Sequence, residues 1–273
     1  MIVIEPLGGL ANRMRALDSA INLGIKTKQS VMVLWALDSS LNCQYHILFE
    51  RLPNVRVLNF INSHINQHLR KFFIRLGEFY FYNLSESEIQ KFAGYTQALE
   101  QLALKRNLHI QTCGRFYLTN KPFNIFNPAK ALRSQIETVT CLFVEKTIGI
   151  HIRRGDNTLS ISHSPITEFI EVIKKELKES TETIFYLATD SLKEEKVLTD
   201  LFPGKIITHT KKIPDRNNSE SIQDALVDLY CLSKCRKIIG SYYSSFSETA
   251  AQIGRIELIV VNASKDGVQG HDF

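Results

Sequence analysis

Apolar positions along this chain of 273 residues switch repeatedly between two spacings. Ile2-Val3-Ile4 is a continuous β-branched run that stops at Pro6 and the Gly8-Gly9 pair. That pattern predicts a buried strand entering a tight turn. From Asn12 to about Gly24, Met14, Leu17, Ala20, Ile21 and Leu23 recur at helical spacing. Ser30 to Leu34 and Val55 to Phe60 read as two further strands. Strand, glycine turn, helix and strand in that order open a parallel α/β sheet. In the middle, His68 to Tyr82 interleaves Arg and Lys with Phe. It predicts an amphipathic helix that turns Leu69, Phe72, Phe73 and Leu76 to a core. The other use of a basic, aromatic helix is peripheral contact with a membrane, or holding an acceptor. Ile110 to Cys113 reads as a strand. Asn120 to Pro128, with two prolines and three asparagines, predicts a joint.

Beyond the joint the rhythm is clearer. Helices are predicted over Ala129 to Leu142, Pro165 to Lys178, Ser191 to Leu201, Ile222 to Cys235 and Ser247 to Ile253. Strands are predicted at Thr147 to Ile152, Thr183 to Ala188, Lys205 to Thr208, Lys237 to Gly240 and Ile256 to Val261. The expectation is two consecutive α/β domains, 1–128 and 129–273, with mainly parallel sheets and the chemistry in the cleft between them.

Composition narrows the class. A hydrophobic fraction of 44% and a charged fraction of 22% describe an ordinary globular chain and exclude a disordered tail or a collagen-like rod. The formal charge of +5 suits an anionic small molecule as well as nucleic acid. The basic residues are not striped on one face and no RRM or KH signature occurs, so nucleic acid is not the expected partner. The five cysteines form no C-x-x-C pair, and an odd count argues against a disulfide framework. The start MIVIEPLGGLANRMRAL lacks the features of a secretory signal. No run reaches the roughly 18 apolar residues of a membrane span. A soluble, cytoplasmic protein is the expectation.

The sharpest chemical feature is IGIHIRRGD, Ile148 to Asp156. Alternation puts Ile148, Ile150 and Ile152 on one face of the strand and Gly149, His151 and Arg153 on the other. Arg153 and Arg154 then lie at the carboxyl end of a buried strand, the edge where open α/β sheets bind ligands. Guanidinium groups suit phosphate through paired hydrogen bonds and a permanent charge. The plain alternative is a surface ion pair of Arg154 with Asp156. In KIIGSYYSSFSETAAQIG, Lys237 to Gly254, a strand leads through Gly240 and a hydroxyl-rich loop into a helix. Helix starts favour anions, and Ser244, Ser245 and Ser247 offer hydroxyls; simple capping is the competing use. Gly8, Gly9, Asn12 and Arg13 form a third patch, where glycines allow close backbone approach. Asp224 and Asp228 share a helical face. His151, His163, His209 and Asp190 show no metal-ligand spacing, D-x-D is absent, and no G-x-S-x-G elbow occurs.

His151-Ile152-Arg153-Arg154-Gly155-Asp156 resembles the H-x-R-R-x-D motif of GDP-fucose-dependent fucosyltransferases, the group with α1,2-, α1,6- and protein O-fucosyltransferases. Asp228 to Ser247 is similar to that family's D-x-x-x-L-S…S-[ST]-F-S segment, and Gly9 to Arg13 resembles its G-x-x-N-[QR] turn. The resemblance implies a metal-independent, inverting transferase of GT-B arrangement, with two Rossmann-like domains and no cofactor. The second domain would hold GDP-fucose and the first the glycan acceptor. Arg153 or Arg154 would bind the leaving diphosphate, and His151 and Asp228 would place the nucleotide. Ser244, Ser245, Phe246 and Ser247 would line its pocket, with Asp190 in the same donor-binding set. Gly8, Gly9 and Asn12 would approach the donor, Asn12 and Asp156 counting with the two arginines as catalytic candidates. Asp156, His163, Glu5 and Glu248 are unranked candidates for the base. The stretch NTLSISHSP lacks the acidic residues of the α1,6 enzymes, and Glu248-Thr249 replaces the paired tryptophans of the α1,2 enzymes. The linkage is therefore open. Rival readings are a GT-B enzyme using another nucleotide sugar and a non-catalytic nucleotide- or glycan-binding protein.

Overall fold

Ile2-Val3-Ile4 has no polar alternation because its strand is covered on both faces and paired on both edges. In a computed structural model, which describes residues 1–61, 80–92, 94–155, 157–209, 215, 217–263 and 269–271, β1 (Ile2–Pro6) is buried throughout. It lies between β2 (Val31–Leu37) and β5 (Asn107–Thr112). With β3 (Val55–Ile61) and β4 (Phe81–Leu84) the order is β3-β2-β1-β5-β4, every pair parallel. Helix α1 (Leu10–Thr27) starts directly after the glycine pair and stops at Lys28, whose φ of 55° is left-handed. Its Met14, Leu17, Ala20, Ile21 and Leu23 are buried as their spacing predicts. Short helices α2 (Tyr45–Leu48) and α3 (Glu86–Ile89) and the longer α4 (Thr96–Lys105) complete this part. Residues 68–79 of the expected amphipathic helix lie outside the described residues, and Phe81 and Tyr82 belong to β4 instead.

Chain contacts define two units, Met1–Ala129 with Asp215–Gln223, and Lys130–Pro214 with Asp224–Phe273. Asn120 to Pro128, expected as a joint, is packed into the first unit. Phe123 and Phe126 are buried, and Phe126 meets Phe49 with ring centroids 5.1 Å apart. The anchor is Asp18, fully buried on α1. Its carboxylate accepts from Arg115 at 2.8 Å and from the Phe123 N–H at 3.0 Å. Burial pushes the Asp18 carboxyl up, and Arg115 and these bonds oppose the rise. Prolines and asparagines shape this segment, but its buried Phe123 and Phe126 decide where it goes.

The second unit contains α5 (Lys130–Thr140), β6 (Ile148–Ile152), α6 (Thr158–His163), α7 (Ile166–Glu179), β7 (Phe185–Thr189) and α8 (Leu192–Leu201). There follow β8 (Ile206–Thr208), α9 (Ser219–Leu232), β9 (Lys237–Ser241), α10 (Ser245–Gly254), β10 (Glu257–Val261) and β11 (Gln269–His271). The first residues of α9 group with the first unit. The sheet order is β11-β10-β9-β6-β7-β8, and only β11 runs antiparallel among these strands. Ile148, Ile150 and Ile152 pack with Phe169 and Ile173 of α7 and Phe185 and Leu187 of β7. The other face of β6 is also covered: Gly149 packs against Leu232 and Cys235, and His151 is buried. The fold class is α/β with two Rossmann-like units, and no described helix is long and apolar enough to cross a membrane.

Candidate functional site

His151 and Gly240 are register partners on β6 and β9. The His151 ring points to the start of α10, where its Nδ1 lies 2.7 Å from Ser247 Oγ. The same ring stacks on Phe246, with centroids 4.8 Å apart and an interplanar angle of 28°. A Cβ on Gly240 would lie 2.6 Å from Ser247 Oγ and 2.7 Å from Ser247 Cβ. Glycine is therefore what lets α10 sit on the sheet at hydrogen-bond distance from His151. The helix begins two residues earlier than its apolar pattern predicts, so Ser244 holds the N-cap position and Ser247 lies inside the first turn. Its hydroxyl serves His151 instead of a backbone cap.

Past the strand, the chain is tied to β9 and β7. The Arg153 N–H donates to Ser241 Oγ at 2.9 Å, and that hydroxyl is 3.3 Å from the His151 carbonyl. Arg153 Nη1 pairs with Asp190 Oδ2, while Asp190 Oδ1 accepts from the Arg154 N–H at 2.7 Å. One carboxylate thus holds a guanidinium and the next residue's backbone. Arg154 differs from its neighbour. Its Nε donates to Glu194 Oε1 at 2.8 Å and its Nη1 to the Arg153 carbonyl at 3.0 Å. The Arg154 side chain is 11% exposed against 18% for Arg153. These contacts make Arg154 a brace for the turn. Its supposed partner Asp156 lies outside the described residues. Ser160 Oγ, at 3.2 Å, also donates to the Arg153 carbonyl.

The turn after β9 is fastened on its other side. The Tyr242 N–H donates to Ser164 Oγ at 2.8 Å, and Ser164 Oγ donates to the Val261 carbonyl at 2.6 Å. Asn157 Nδ2 donates to the Tyr243 carbonyl at 3.1 Å. His163 meets the Tyr242 ring at 4.8 Å and places Nδ1 3.3 Å from Asn262 Oδ1. Ser244 is buried and Ser245 partly exposed.

The remaining predicted residues scatter. Asp228 is buried. Tyr186, the register partner of Gly149, donates its hydroxyl to Asp228 Oδ1 at 2.5 Å. Burial first, then the Asp228 charge, pushes the Tyr186 phenol well up, so it stays a donor. Asp224 turns instead to His209, 3.2 Å away, and the two carboxylates do not act as a pair. In the first unit, Gly8 has φ +78° and a Cβ there would lie 3.2 Å from Asn12 Nδ2. Buried Arg13 clamps this turn: Nε donates to the Gly8 carbonyl at 2.7 Å, Nη1 to the Ala36 carbonyl, and Nη2 to Asp38 at 2.9 Å. Burial lowers the Arg13 pKa and Asp38 opposes that shift. Of the base candidates, Glu5 is buried with Gln111 Nε2 donating to it at 2.5 Å, and Glu248 lies in the first turn of α10. No group of three or more His, Cys, Asp or Glu suited to a metal occurs among the described residues.

Glu194, Ser241 and Asn157 hold the cluster but escape a reading for phosphate ligands. Glu194 had one signal, its place three residues after Ser191, whose Oγ accepts from the Glu194 N–H at 3.4 Å. That S-x-x-E spacing marks a helix start.

No protein-family model and no curated protein sequence matches the chain. Solved structures do. NodZ alpha-1,6-fucosyltransferase, known from Bradyrhizobium and here soaked with GDP-fucose, superposes with a TM-score of 0.66 at 18% identity. The alignment covers 99% of this chain and 98% of that one. The chain has the fold of these transferases. Arabidopsis thaliana FUT1 in complex with GDP aligns with a TM-score of 0.61 at 12% identity, over 95% of this chain and 69% of that one. POFUT1 in complex with GDP gives 0.57 at 10%, over 95% and 98%. The shared architecture is GT-B-like: two α/β units, each with a mainly parallel sheet.

Proposed function

We propose that the protein is a glycosyltransferase that moves fucose from GDP-fucose to a glycan hydroxyl with inversion and without a metal. One observation carries this reading. The tip of β6 and the start of α10 are bonded to each other through His151 and Ser247, and Arg153 stands at that same tip. A guanidinium beside the start of a helix is a site for a diphosphate. The NodZ, FUT1 and POFUT1 structures with GDP or GDP-fucose support the choice of donor.

In the reaction, the bond between sugar C1 and the β-phosphate oxygen breaks and both electrons go to the diphosphate. The acceptor oxygen bonds to C1 from the opposite face and gives up its proton. Negative charge grows on the leaving group, so a preorganised Arg153 contact strengthens in the transition state. Arg154, braced by Glu194, keeps the Arg153 backbone in place. Asp190 holds both. Asp228, His151 and Phe246 belong to the nucleoside side; Ser244, Ser245 and the α10 N–H groups to the phosphates. Gly8, Gly9 and Asn12 are assigned to the first unit's part in the reaction, and Asp156 is the carboxylate of the H-x-R-R-x-D sequence.

The test is GDP release from GDP-fucose, GDP-mannose and UDP-sugars with EDTA present. Selective turnover of GDP-fucose is expected, and Arg153→Ala should abolish it while melting near wild type. GDP at a hundred times its Kd should stabilise the fold by about 2.7 kcal/mol, with UDP giving much less. Equal stabilisation by UDP, or turnover that survives Arg153→Ala, would refute the assignment. Selective turnover of another nucleotide sugar would replace fucose with that sugar.

A further inference from the structure

Gly155 is pressed against the charged pair at the tip of β6. It is the first inner residue of a turn that the Asn157 N–H closes onto the Arg154 carbonyl at 3.0 Å. Its φ of +36° is left-handed. A Cβ there would lie 2.9 Å from Asp190 Oδ2 and 3.4 and 3.5 Å from Arg153 Nη1 and Nη2. Those atoms belong to the two groups that pair with each other, the Asp190 carboxylate and the Arg153 guanidinium. The backbone around them is fixed. Ser241 Oγ holds the Arg153 N–H at 2.9 Å, and Asp190 Oδ1 holds the Arg154 N–H at 2.7 Å. Ser160 Oγ and Arg154 Nη1 donate to the Arg153 carbonyl at 3.2 and 3.0 Å. Asn157 Nδ2 ties the far end of the turn to the Tyr243 carbonyl. A methyl at position 155 would therefore be accommodated by the ends of the Asp190 and Arg153 side chains.

Such a shift costs the fold little and costs the aim of Arg153 directly. Building on the proposed function, in which Arg153 grips the leaving diphosphate, we infer that Gly155 is a positioning residue. Its missing side chain keeps the Asp190 carboxylate, and through it the Arg153 guanidinium, in the orientation that transfer requires. The H-x-R-R-x-D resemblance leaves this position open, so the role belongs to this chain's own geometry. To reach the 3.4 Å at which ordinary contact begins, the carboxylate must retreat by about half an ångström. A misplacement of about 1 Å costs about 10²-fold in rate, so half of that costs about tenfold. The Arg153 contact strengthens as charge moves onto the leaving group, so the loss falls mainly on the rate and less on ground-state binding. Gly155 acts through Asp190 and takes no part in the bond exchange.

GDP release at saturating GDP-fucose, GDP affinity and melting are compared for wild type, Gly155→Ala, Asp190→Ala and the double variant. Gly155→Ala should lose about tenfold in kcat, while GDP affinity falls much less. With Asp190→Ala the atom that the methyl strikes is gone, so adding Gly155→Ala should cost at most about twofold more in kcat. Gly155→Asn keeps the intruding Cβ but tolerates a left-handed backbone. It should melt closer to wild type than Gly155→Ala and share its kinetic loss, and it decides the matter should Asp190→Ala fail to fold. The same loss from Gly155→Ala with and without Asp190 would assign the effect to the backbone and overturn the inference. Recovery of kcat in Gly155→Asn would overturn it in the same way. So would a Gly155→Ala protein with the wild-type kcat, and in each of these cases the proposed function stands. A wild type that neither releases GDP from GDP-fucose nor binds GDP would remove the proposed function and this inference with it.

Discussion

Gly240→Ala is the smallest change that tests how the site is built. The added methyl would stand 2.6 Å from Ser247 Oγ, 2.7 Å from Ser247 Cβ and 3.1 Å from Leu258 Cδ1. Leu258 Cδ1 ends a flexible side chain and can yield. Ser247 Cβ cannot, because it is fixed to the first turn of α10, so the helix start must move off β9. Overpacking of this kind costs about 1–3 kcal/mol. The 2.7 Å contact between His151 Nδ1 and Ser247 Oγ also stretches, and stranding a buried polar atom adds about 1–3 kcal/mol. Even a net 2 kcal/mol lowers Tm by about 4–8 °C in a protein of this size class. The assay is thermal unfolding by circular dichroism, with and without GDP, on Gly240→Ala, Ser247→Gly and the double variant. Ser247→Gly removes both atoms that the methyl would strike. In that background Gly240→Ala should cost little, giving a coupling of at least about 1 kcal/mol. GDP should also stabilise Gly240→Ala less than wild type. Additive penalties, or a Gly240→Ala protein that melts and binds GDP like wild type, would show that α10 is not seated on Gly240 as described.

Two further outcomes concern the first unit. Asp18→Ala removes the fully buried carboxylate that Arg115 bonds at 2.8 Å, and breaking such a pair costs about 3–5 kcal/mol. Trp35 is the chain's single tryptophan and is buried in this unit, so the urea midpoint followed by its fluorescence should fall; an unchanged midpoint would refute the anchor. Glu86 has a lowered pKa: burial alone would raise it, and hydrogen bonds from Thr112, the Cys113 N–H and Gln90 outweigh burial. Its contribution is full above the unfolded carboxylate pKa of about 4.3 and is lost as pH falls through the lower folded value. Glu86→Gln should therefore flatten the acid side of the Tm–pH profile, and an unaltered profile would contradict this.

Much of the fold is legible without coordinates. The continuous β-branched run Ile2-Val3-Ile4 becomes a central strand, because a strand buried on both faces shows no polar alternation, and the alternating isoleucines of Ile148 to Ile152 become β6. The apolar positions of Pro165 to Lys178 (Ile166, Phe169, Ile170, Ile173 and Leu177 among them) likewise mark α7, with Phe169 and Ile173 buried. The joint is the instructive case: the units divide just after it, between Ala129 and Lys130, yet its chain is packed. Proline and asparagine mark irregular backbone, and irregular backbone is not the same as exposed backbone. Asp18, more than a hundred residues earlier, supplies the hydrogen bond that lets Phe123 be buried. In the site, motif spacing brought out His151, Arg153, Phe246 and Ser247, which the structure gathers at one strand tip. It placed Asp228 in the same set, and in the structure Asp228 Oδ1 accepts from the Tyr186 hydroxyl.

Local order along the chain determined the strands, most helices and the delivery of two arginines to a sheet edge, because each follows from periodicity within about ten residues. Tertiary structure alone decided which arginine braces and which stands at the β6 tip, since Asp190 and Glu194 reach them from a neighbouring strand and helix. It also decided that Ser247 bonds a histidine instead of capping its helix, and that Tyr243 is held in a left-handed turn with its ring in solvent. Such facts depend on side chains that meet only after the sheet has assembled, and no spacing in a single chain encodes them.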